Sequence, residues 1–358
     1  MIISIDKNGI AREGLIPESE GMVHWYDTEH RVSQWLLGDE VSYEMDALLT
    51  DLRYAIERSV FVANDAYSIL NPSLPMFVEE TGYRPSGKTC SSVFQWVCDR
   101  ASCETLNRYI YVQDVWWLAD SLNASHAIAA EALSGFFREL SRSGLDFERD
   151  DCPGDGLFEV SGVGARPTLK ELQGFLLSLH SCLDIATKLL YALTYLPCGF
   201  DTVPARVGGN ALFRKAQGKE AATAREGTIF EKCWETNYLG GLRDEIMHNR
   251  ALDASGVAFV RRDGGRVIER FVLLPDADEG GTICSWKNRR RFYSLGLRAN
   301  DLAPNLFGQI SRRLLASLKD AMGAISFDNA VELSFEDVRD TVVSLNESYA
   351  RFAEEHYN

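Results

Sequence analysis

The feature that most constrains the fold is a long apolar helix predicted over about residues 168–196. Its apolar residues recur at alternating spacings of four and three, as in a helix with one buried face: Leu172, Leu176, Leu179, Leu183, Ala186, Leu190 and Leu193. Thr168 and Glu171 form a Thr-x-x-Glu capping box after Pro167, and Pro197 ends the pattern. A helix this apolar must pack against several others, so the sequence predicts a helical bundle.

Other segments have weaker periodic patterns. The N-terminal residues 2–15 predict a short β-hairpin around the turn 6–9, and Gly264 and Gly265 mark the turn of a second hairpin within residues 256–275. Helical spacing predicts further helices over about residues 42–69, 115–143, 304–325 and 335–355, and one that ends near residue 252. This last helix is predicted to be interrupted at Gly240-Gly241.

The predicted fold class is mainly α, with a small β-hairpin insertion. A polar, Gly- and Asp-rich stretch at residues 149–156 is the clearest linker. We therefore expect two domains: an acidic, mainly helical N-terminal domain over 1–155, and a helical bundle over 156–358 that contains the hairpin. A second polar segment, residues 200–226, is long enough to predict a functional loop.

Charge is distributed unevenly along the chain. The whole sequence has 37 basic and 52 acidic residues and a net charge of −15, yet residues 201–300 carry 17 basic and 13 acidic side chains and are net positive. Any binding to nucleic acid is therefore expected to be local and to involve this segment. No stretch has 18 consecutive uncharged apolar residues, the N-terminus lacks a secretory leader pattern, and the cysteines lack zinc-site spacing. These features predict a cytoplasmic protein without a membrane partner, metal or cofactor.

One motif has the spacing of a phosphate-binding loop. Residues 82–89 read Gly-x4-Gly-Lys-Thr, which makes Gly87, Lys88 and Thr89 candidate nucleotide-binding residues. A phosphate-binding loop needs a buried strand directly before its first glycine, but polar residues precede this one. The only candidate partner strand is 109–112, which precedes an aspartate. The alternative interpretation, a loop before a helix that starts near Ser91, is favoured.

A second motif combines Arg243 and Asp244 with His248 and Asn249 on the helix that ends near residue 252. Histidine transfers protons near neutral pH, and arginine supplies a permanently charged fork for phosphate oxygens. At about 100° per residue, Arg243 and His248 lie about 140° apart around the helix, whereas Asp244 and His248 are about 40° apart and could hydrogen-bond. Two facing copies of the helix would bring both residue types into one groove. A salt-bridged surface helix is the alternative.

This Arg-x4-His pattern, with a long amphipathic helix upstream, resembles the motif of the HEPN superfamily over about residues 166–325. The resemblance implies a helical bundle and a metal-independent endoribonuclease whose two motifs meet across a homodimer. Carried onto this sequence, it implies that Arg243 and His248 are catalytic and Asp244 is the supporting polar neighbour, a position where asparagine is commoner. It also implies a toxin–antitoxin or anti-phage defence role, with a regulatory protein or antitoxin as partner.

A cluster of basic residues lies close to the motif in sequence. These candidate RNA-binding residues, interleaved with Trp286, Phe292 and Tyr293, are Arg250, Arg261, Arg262, Lys287, Arg289, Arg290 and Arg291. Cations alternating with aromatic side chains suit single-stranded RNA, through phosphate contacts and base stacking. A solubilising rim around the hairpin is the other interpretation. For the whole chain, the alternative function is a non-catalytic nucleotide- or protein-binding module built on the same bundle.

Overall fold

The computed structural model describes residues 2–13, 22–27, 32–34, 39–62, 91–142, 154–194, 199–202, 225–254, 256–325, 330–332 and 334–357. These residues form seven α-helices and two antiparallel sheets, and this confirms the predicted mainly α class with a small β component. The helices are α1 (Asp39–Val60), α2 (Ser91–Ala101), α3 (Glu104–Arg142), α4 (Arg166–Thr194), α5 (Trp234–His248), α6 (Ala299–Ala324) and α7 (Phe335–Tyr357).

The N-terminal hairpin belongs to a four-stranded sheet. Its strands are β1 (Ile2–Asp6), β2 (Ala11–Glu13), β3 (Met22–Asp27) and β4 (Val32–Gln34), in the order β2-β1-β3-β4. Asp6 shapes the predicted turn, because its Oδ1 accepts the N–H groups of Asn8 at 2.9 Å and Ile10 at 3.0 Å. The sequence did not predict β3 and β4, which are short; β3 pairs with β1, and β4 pairs with β3.

The second sheet contains the predicted hairpin and one additional strand. Strands β6 (Val257–Asp263) and β7 (Arg266–Val272) are joined by Gly264 and Gly265, both at positive φ. Strand β5 (Gly156–Ser161) pairs antiparallel with β6, so the insertion is three-stranded rather than a simple hairpin. Asp155 fixes the turn by accepting both glycine N–H groups, each at 2.9 Å.

The predicted apolar helix corresponds to α4, whose leucines at positions 172, 176, 179 and 183 are fully buried. It begins at Arg166, two residues before the predicted capping box, and the Leu169 N–H already bonds to the Ala165 carbonyl. Thr168 therefore lies inside the helix and is buried. Within the described ranges, α4 is the one helix long and apolar enough to cross a bilayer, but more than half of its most apolar window is buried in the protein.

Two element predictions in the first half are wrong. Helix α1 ends at Val60, nine residues before the predicted end at residue 69, and the next residue, Phe61, forms a parallel bridge with Val331. The candidate strand over 109–112 lies inside α3, where the apolar side chains of this segment are buried on the helix. Four consecutive apolar residues do not distinguish a strand from a buried helical turn.

Contacts between residues group the chain into two compact units. One contains residues 1–45, 123–184 and 213–316, and the other contains residues 46–122, 185–212 and 317–358. Helix α5 and both sheets belong to the first unit, and helices α2 and α7 belong to the second. The predicted domain boundary between residues 155 and 156 remains a prediction.

Candidate functional site

The Arg-x4-His motif lies on α5, an uninterrupted 15-residue helix. The predicted interruption at Gly240-Gly241 is wrong, and one glycine has a packing role: a Cβ on Gly241 would lie 3.1 Å from the Ile283 side chain. The helix buries one face, formed by Tyr238, Leu239, Leu242, Glu245 and Ile246. The opposite face, with Asn237, Asp244, Met247 and His248, is open or half-open to solvent.

The N-terminal half of α5 is held by the loop that follows β7. The buried Tyr238 hydroxyl donates to the Pro275 carbonyl at 2.7 Å, and burial raises the pKa of this phenol, so it remains a donor. The Trp234 indole N–H donates to the Asp278 carbonyl at 3.1 Å. Gly281, at a φ of +80°, approaches so closely that a Cβ there would lie 2.3 Å from the Trp234 carbonyl oxygen. The helix is therefore fixed in position over its first turn.

The C-terminal end of α5 is held by a buried carboxylate. The Glu245 side chain is 5% exposed and accepts a hydrogen bond from Arg291 Nε at 3.1 Å and another from Asn249 Nδ2 at 2.6 Å. Arg291 Nη2 also donates to the carbonyls of Arg250 and Ala251, just beyond the helix. We call Glu245, Asn249 and Arg291 the helix-end lock. It gives the C-terminus of α5 a defined place beside the loop that carries Arg291.

Arg243 and Asp244 form a surface pair next to the lock. Arg243 Nη1 donates to Asp244 Oδ1 at 2.9 Å, with the side chains 21% and 35% exposed. This bond uses one of the five N–H groups of the guanidinium, which leaves the fork able to bind a phosphate oxygen. The hydrogen bond considered between Asp244 and His248 is not formed, and Asp244 Oδ1 accepts a hydrogen bond from Arg243.

His248 differs from the other histidines whose side chains the structure describes. His126 is buried and bonds to the Ser311 hydroxyl at 2.8 Å, and burial lowers its pKa to about 4. His180 is mostly buried, and its Nδ1 lies 3.5 Å from Asp184. Within this group His248 alone is exposed, and it has no hydrogen-bond or ion-pair partner among the described residues. It is the described histidine most accessible to a substrate.

The candidate RNA-binding residues separate into two groups. Three have partners within the protein: Arg291 belongs to the helix-end lock, Arg261 bonds to Glu269 at 3.0 Å, and Arg262 bonds to the Gly265 carbonyl at 2.7 Å. The side chains of the second group are exposed or half-exposed, and they are Arg250, Lys287, Arg289 and Arg290.

Lys287 and Arg289 lie on a tight turn with an exposed aromatic residue. Trp286 and Arg289 exchange two backbone hydrogen bonds of 2.9 Å, and the residues between them, Lys287 and Asn288, have positive φ values of 47° and 63°. These angles are those of a type I′ turn. The Trp286 side chain is 56% exposed, with Lys287 Nζ 4.8 Å and the Arg289 guanidinium 5.2 Å from its ring centre. We call residues 286–289 the tryptophan turn.

The phosphate-binding motif, with Gly87, Lys88 and Thr89, lies outside the described residues. Helix α2 begins at Ser91, where the alternative interpretation places a helix start. In the described ranges, no group of three or more histidine, cysteine, aspartate or glutamate side chains is arranged to hold a metal ion.

The chain was compared with protein-family models, curated proteins and solved structures, and none matches it. Sequence reasoning missed the role of Glu245, although a signal was present. This glutamate lies on the apolar face of the helix between Leu242 and Ile246, and a carboxylate buried there requires a cationic partner.

Proposed function

We propose that the chain is a metal-independent endoribonuclease of the HEPN type whose catalytic residues are Arg243 and His248. The observation that carries the proposal is the His248 imidazole, which is exposed, has no partner among the described residues and lies at the end of a helix fixed at both ends. Arg243, five residues earlier and 21% exposed, supplies a guanidinium whose one hydrogen bond among the described residues goes to Asp244. These are the two chemical groups that RNA cleavage without a metal requires.

The chemistry divides between the two side chains. An imidazole takes the proton from a 2′-hydroxyl, or gives a proton to the departing 5′-oxygen, because its pKa lies close to neutral. The phosphorane formed by 2′-oxygen attack carries additional negative charge, which the arginine fork stabilises through charge-assisted hydrogen bonds. Asn249 is directed to Glu245, so its support for catalysis is indirect, through the position of the helix end.

The open face of α5 supports assembly of the site across a homodimer. Arg243 and His248 lie about 140° apart on one helix, so a second copy brings a complementary pair into reach. The face contains Gly240, where an added Cβ would meet no atom within 4 Å, and the 55%-exposed Met247. A small residue beside an exposed apolar one permits close packing of two helices.

We predict that Gly240→Trp disrupts the dimer and lowers RNA cleavage by about 10²-fold, because displacing catalytic groups by an ångström has an effect of that size. Light scattering after size-exclusion chromatography measures the mass, and a labelled RNA measures the rate. Gly323→Trp is the matched control, since Gly323 is likewise a helical glycine where an added Cβ would meet no atom within 4 Å. If the Gly240→Trp variant is still a dimer and cleaves RNA at the wild-type rate, the dimeric site is contradicted.

The proposed biological role rests on the resemblance of the α5 motif to the HEPN superfamily. A ribonuclease acting on cellular RNA must be restrained, so we propose a cytoplasmic toxin or anti-phage effector controlled by a regulatory protein or antitoxin. The exposed basic residues Arg250, Lys287, Arg289 and Arg290 suit contacts with the phosphate backbone of the RNA.

The substrate's 2′-hydroxyl provides the direct test of this mechanism. We expect the chain to cleave an unmodified RNA oligonucleotide and to leave its fully 2′-O-methylated counterpart intact, because the methyl group removes the attacking nucleophile. Denaturing gel electrophoresis separates the products. Equal cleavage of both oligonucleotides would exclude attack by the 2′-oxygen and would refute the proposal.

A further inference from the structure

We propose that the tryptophan turn is a base-stacking site for single-stranded RNA, in which one unpaired base stacks on the Trp286 ring and its phosphates contact the neighbouring cations. This proposal rests on the proposed function, since it names the form of RNA that reaches α5. It also assigns a role to an exposed indole that the catalytic chemistry does not use.

The first support is the exposure of the indole. A tryptophan normally buries most of its large apolar surface, but the Trp286 side chain is 56% exposed at the tip of a turn. The turn is rigid, because Trp286 and Arg289 exchange two backbone hydrogen bonds and Lys287 and Asn288 adopt left-handed backbone angles. A rigid, exposed ring loses little conformational freedom when a base stacks on it.

The second support is charge. The Lys287 ammonium and the Arg289 guanidinium lie over the Trp286 ring, 4.8 Å and 5.2 Å from its centre, so a base that stacks on the ring displaces one of these exposed cations towards the phosphates of the same strand. Phosphates on either side of a stacked base would lie close to these cations, whereas an acidic chain with a net charge of −15 otherwise repels RNA. Aromatic rings flanked by cations bind single strands with little dependence on base identity.

The third support is the connection to α5. Arg291 follows the turn by two residues, and a two-residue segment spans at most about 7 Å. Arg291 is bonded to Glu245 and to the carbonyl of Arg250, which is two residues beyond His248. The helix-end lock thus couples the tryptophan turn to the catalytic end of α5, so one short strand can contact both.

The geometry favours single strands over duplexes. Bases in a duplex are stacked on one another and present no free face, whereas an unpaired base offers its whole ring to an aromatic side chain. The tryptophan turn therefore selects loops, bulges and unpaired ends. The alternative is that Trp286 contacts a protein partner in place of RNA, and the binding test distinguishes the two.

The test measures RNA binding in a His248→Ala background, so that cleavage does not intervene. Fluorescence anisotropy gives Kd for a labelled 12-nucleotide single strand and for a blunt-ended duplex of 12 base pairs. Adding Trp286→Ala should weaken single-strand binding by about 5- to 150-fold, the range for loss of one stacked base, and change duplex binding little. Trp286→Phe should restore most of the affinity. Phe335→Ala, at a 74%-exposed aromatic residue in α7, is the control and should have no effect.

Each outcome decides between the interpretations. Unchanged single-strand affinity in Trp286→Ala overturns the stacking site, and a simultaneous change in molecular mass would assign the turn to a protein contact. If Trp286→Ala weakens binding of the single strand and of the duplex equally, the turn does not distinguish single-stranded from double-stranded RNA and the proposal is wrong. If Trp286-dependent binding is found in a chain that never cleaves RNA, the stacking site stands and the nuclease proposal fails.

Discussion

We expect His248→Ala to lower the rate of RNA cleavage by about 10²–10⁴-fold, the usual loss when a general acid–base group is removed. The side chain is exposed and makes no hydrogen bond within the described residues, so its removal should leave stability nearly unchanged. Cleavage of a labelled RNA under single-turnover conditions measures the rate, and thermal unfolding confirms that the variant is folded.

Two further variants make this result specific. Arg243→Ala should lower the rate at least as much as His248→Ala, since it removes the charge that stabilises the phosphorane. Arg351 and His356 repeat the Arg-x4-His spacing at the end of α7, but this pair lacks the surrounding sequence of α5. His356→Ala should therefore cleave like the wild type. If His248→Ala and His356→Ala cleave equally well, the α5 motif belongs to a structural helix and the binding-module alternative is favoured.

The second large effect is on stability, and it concerns the helix-end lock. Glu245→Ala should lower the free energy of unfolding by about 3 kcal/mol, because it leaves a mostly buried guanidinium and the Asn249 amide without their acceptor. This value lies at the low end for breaking a buried ion pair, since Arg291 remains 20% exposed. Urea denaturation followed by circular dichroism measures the change.

A surface ion pair serves as the control for this measurement. Asp340 accepts hydrogen bonds from Arg339 with both side chains exposed, so Asp340→Ala should change the free energy of unfolding by less than about 1 kcal/mol. Glu245→Gln, which keeps a hydrogen-bond acceptor, should cost less than Glu245→Ala. Equal stability of Glu245→Ala and Asp340→Ala would show that the lock does not hold the helix end.

The helices were the most predictable part of this fold. The leucine repeat of α4 and the Gly-Gly turn between β6 and β7 are local signals, and the structure has both where the sequence predicts them. Strands β3, β4 and β5 were missed because they are three to six residues long and are stabilised by partners distant in sequence. Short strands of this kind have little local pattern to detect.

The types of residue in the candidate site could be predicted from the sequence, but their hydrogen-bond and ion-pair partners could not. The sequence grouped Arg291 with the RNA-binding candidates because its charge is visible, whereas its partner Glu245 lies on α5, 46 residues earlier in the chain. Arg261 and Arg262 likewise find partners within or next to the hairpin. The exposure of His248 depends on how α5 packs against segments distant in sequence, which the spacing of the motif does not reveal.

The measurement that tests the central claim most directly is cleavage of mixed RNA by the purified wild-type chain in EDTA and in magnesium. The proposed mechanism uses only side chains, so the rate in EDTA should match the rate in magnesium, and Lys88→Ala should cleave normally in both. A phosphate-binding loop requires magnesium for its chemistry. Cleavage that appears only with magnesium and is lost in Lys88→Ala would contradict the account and move the active site to residues 82–89.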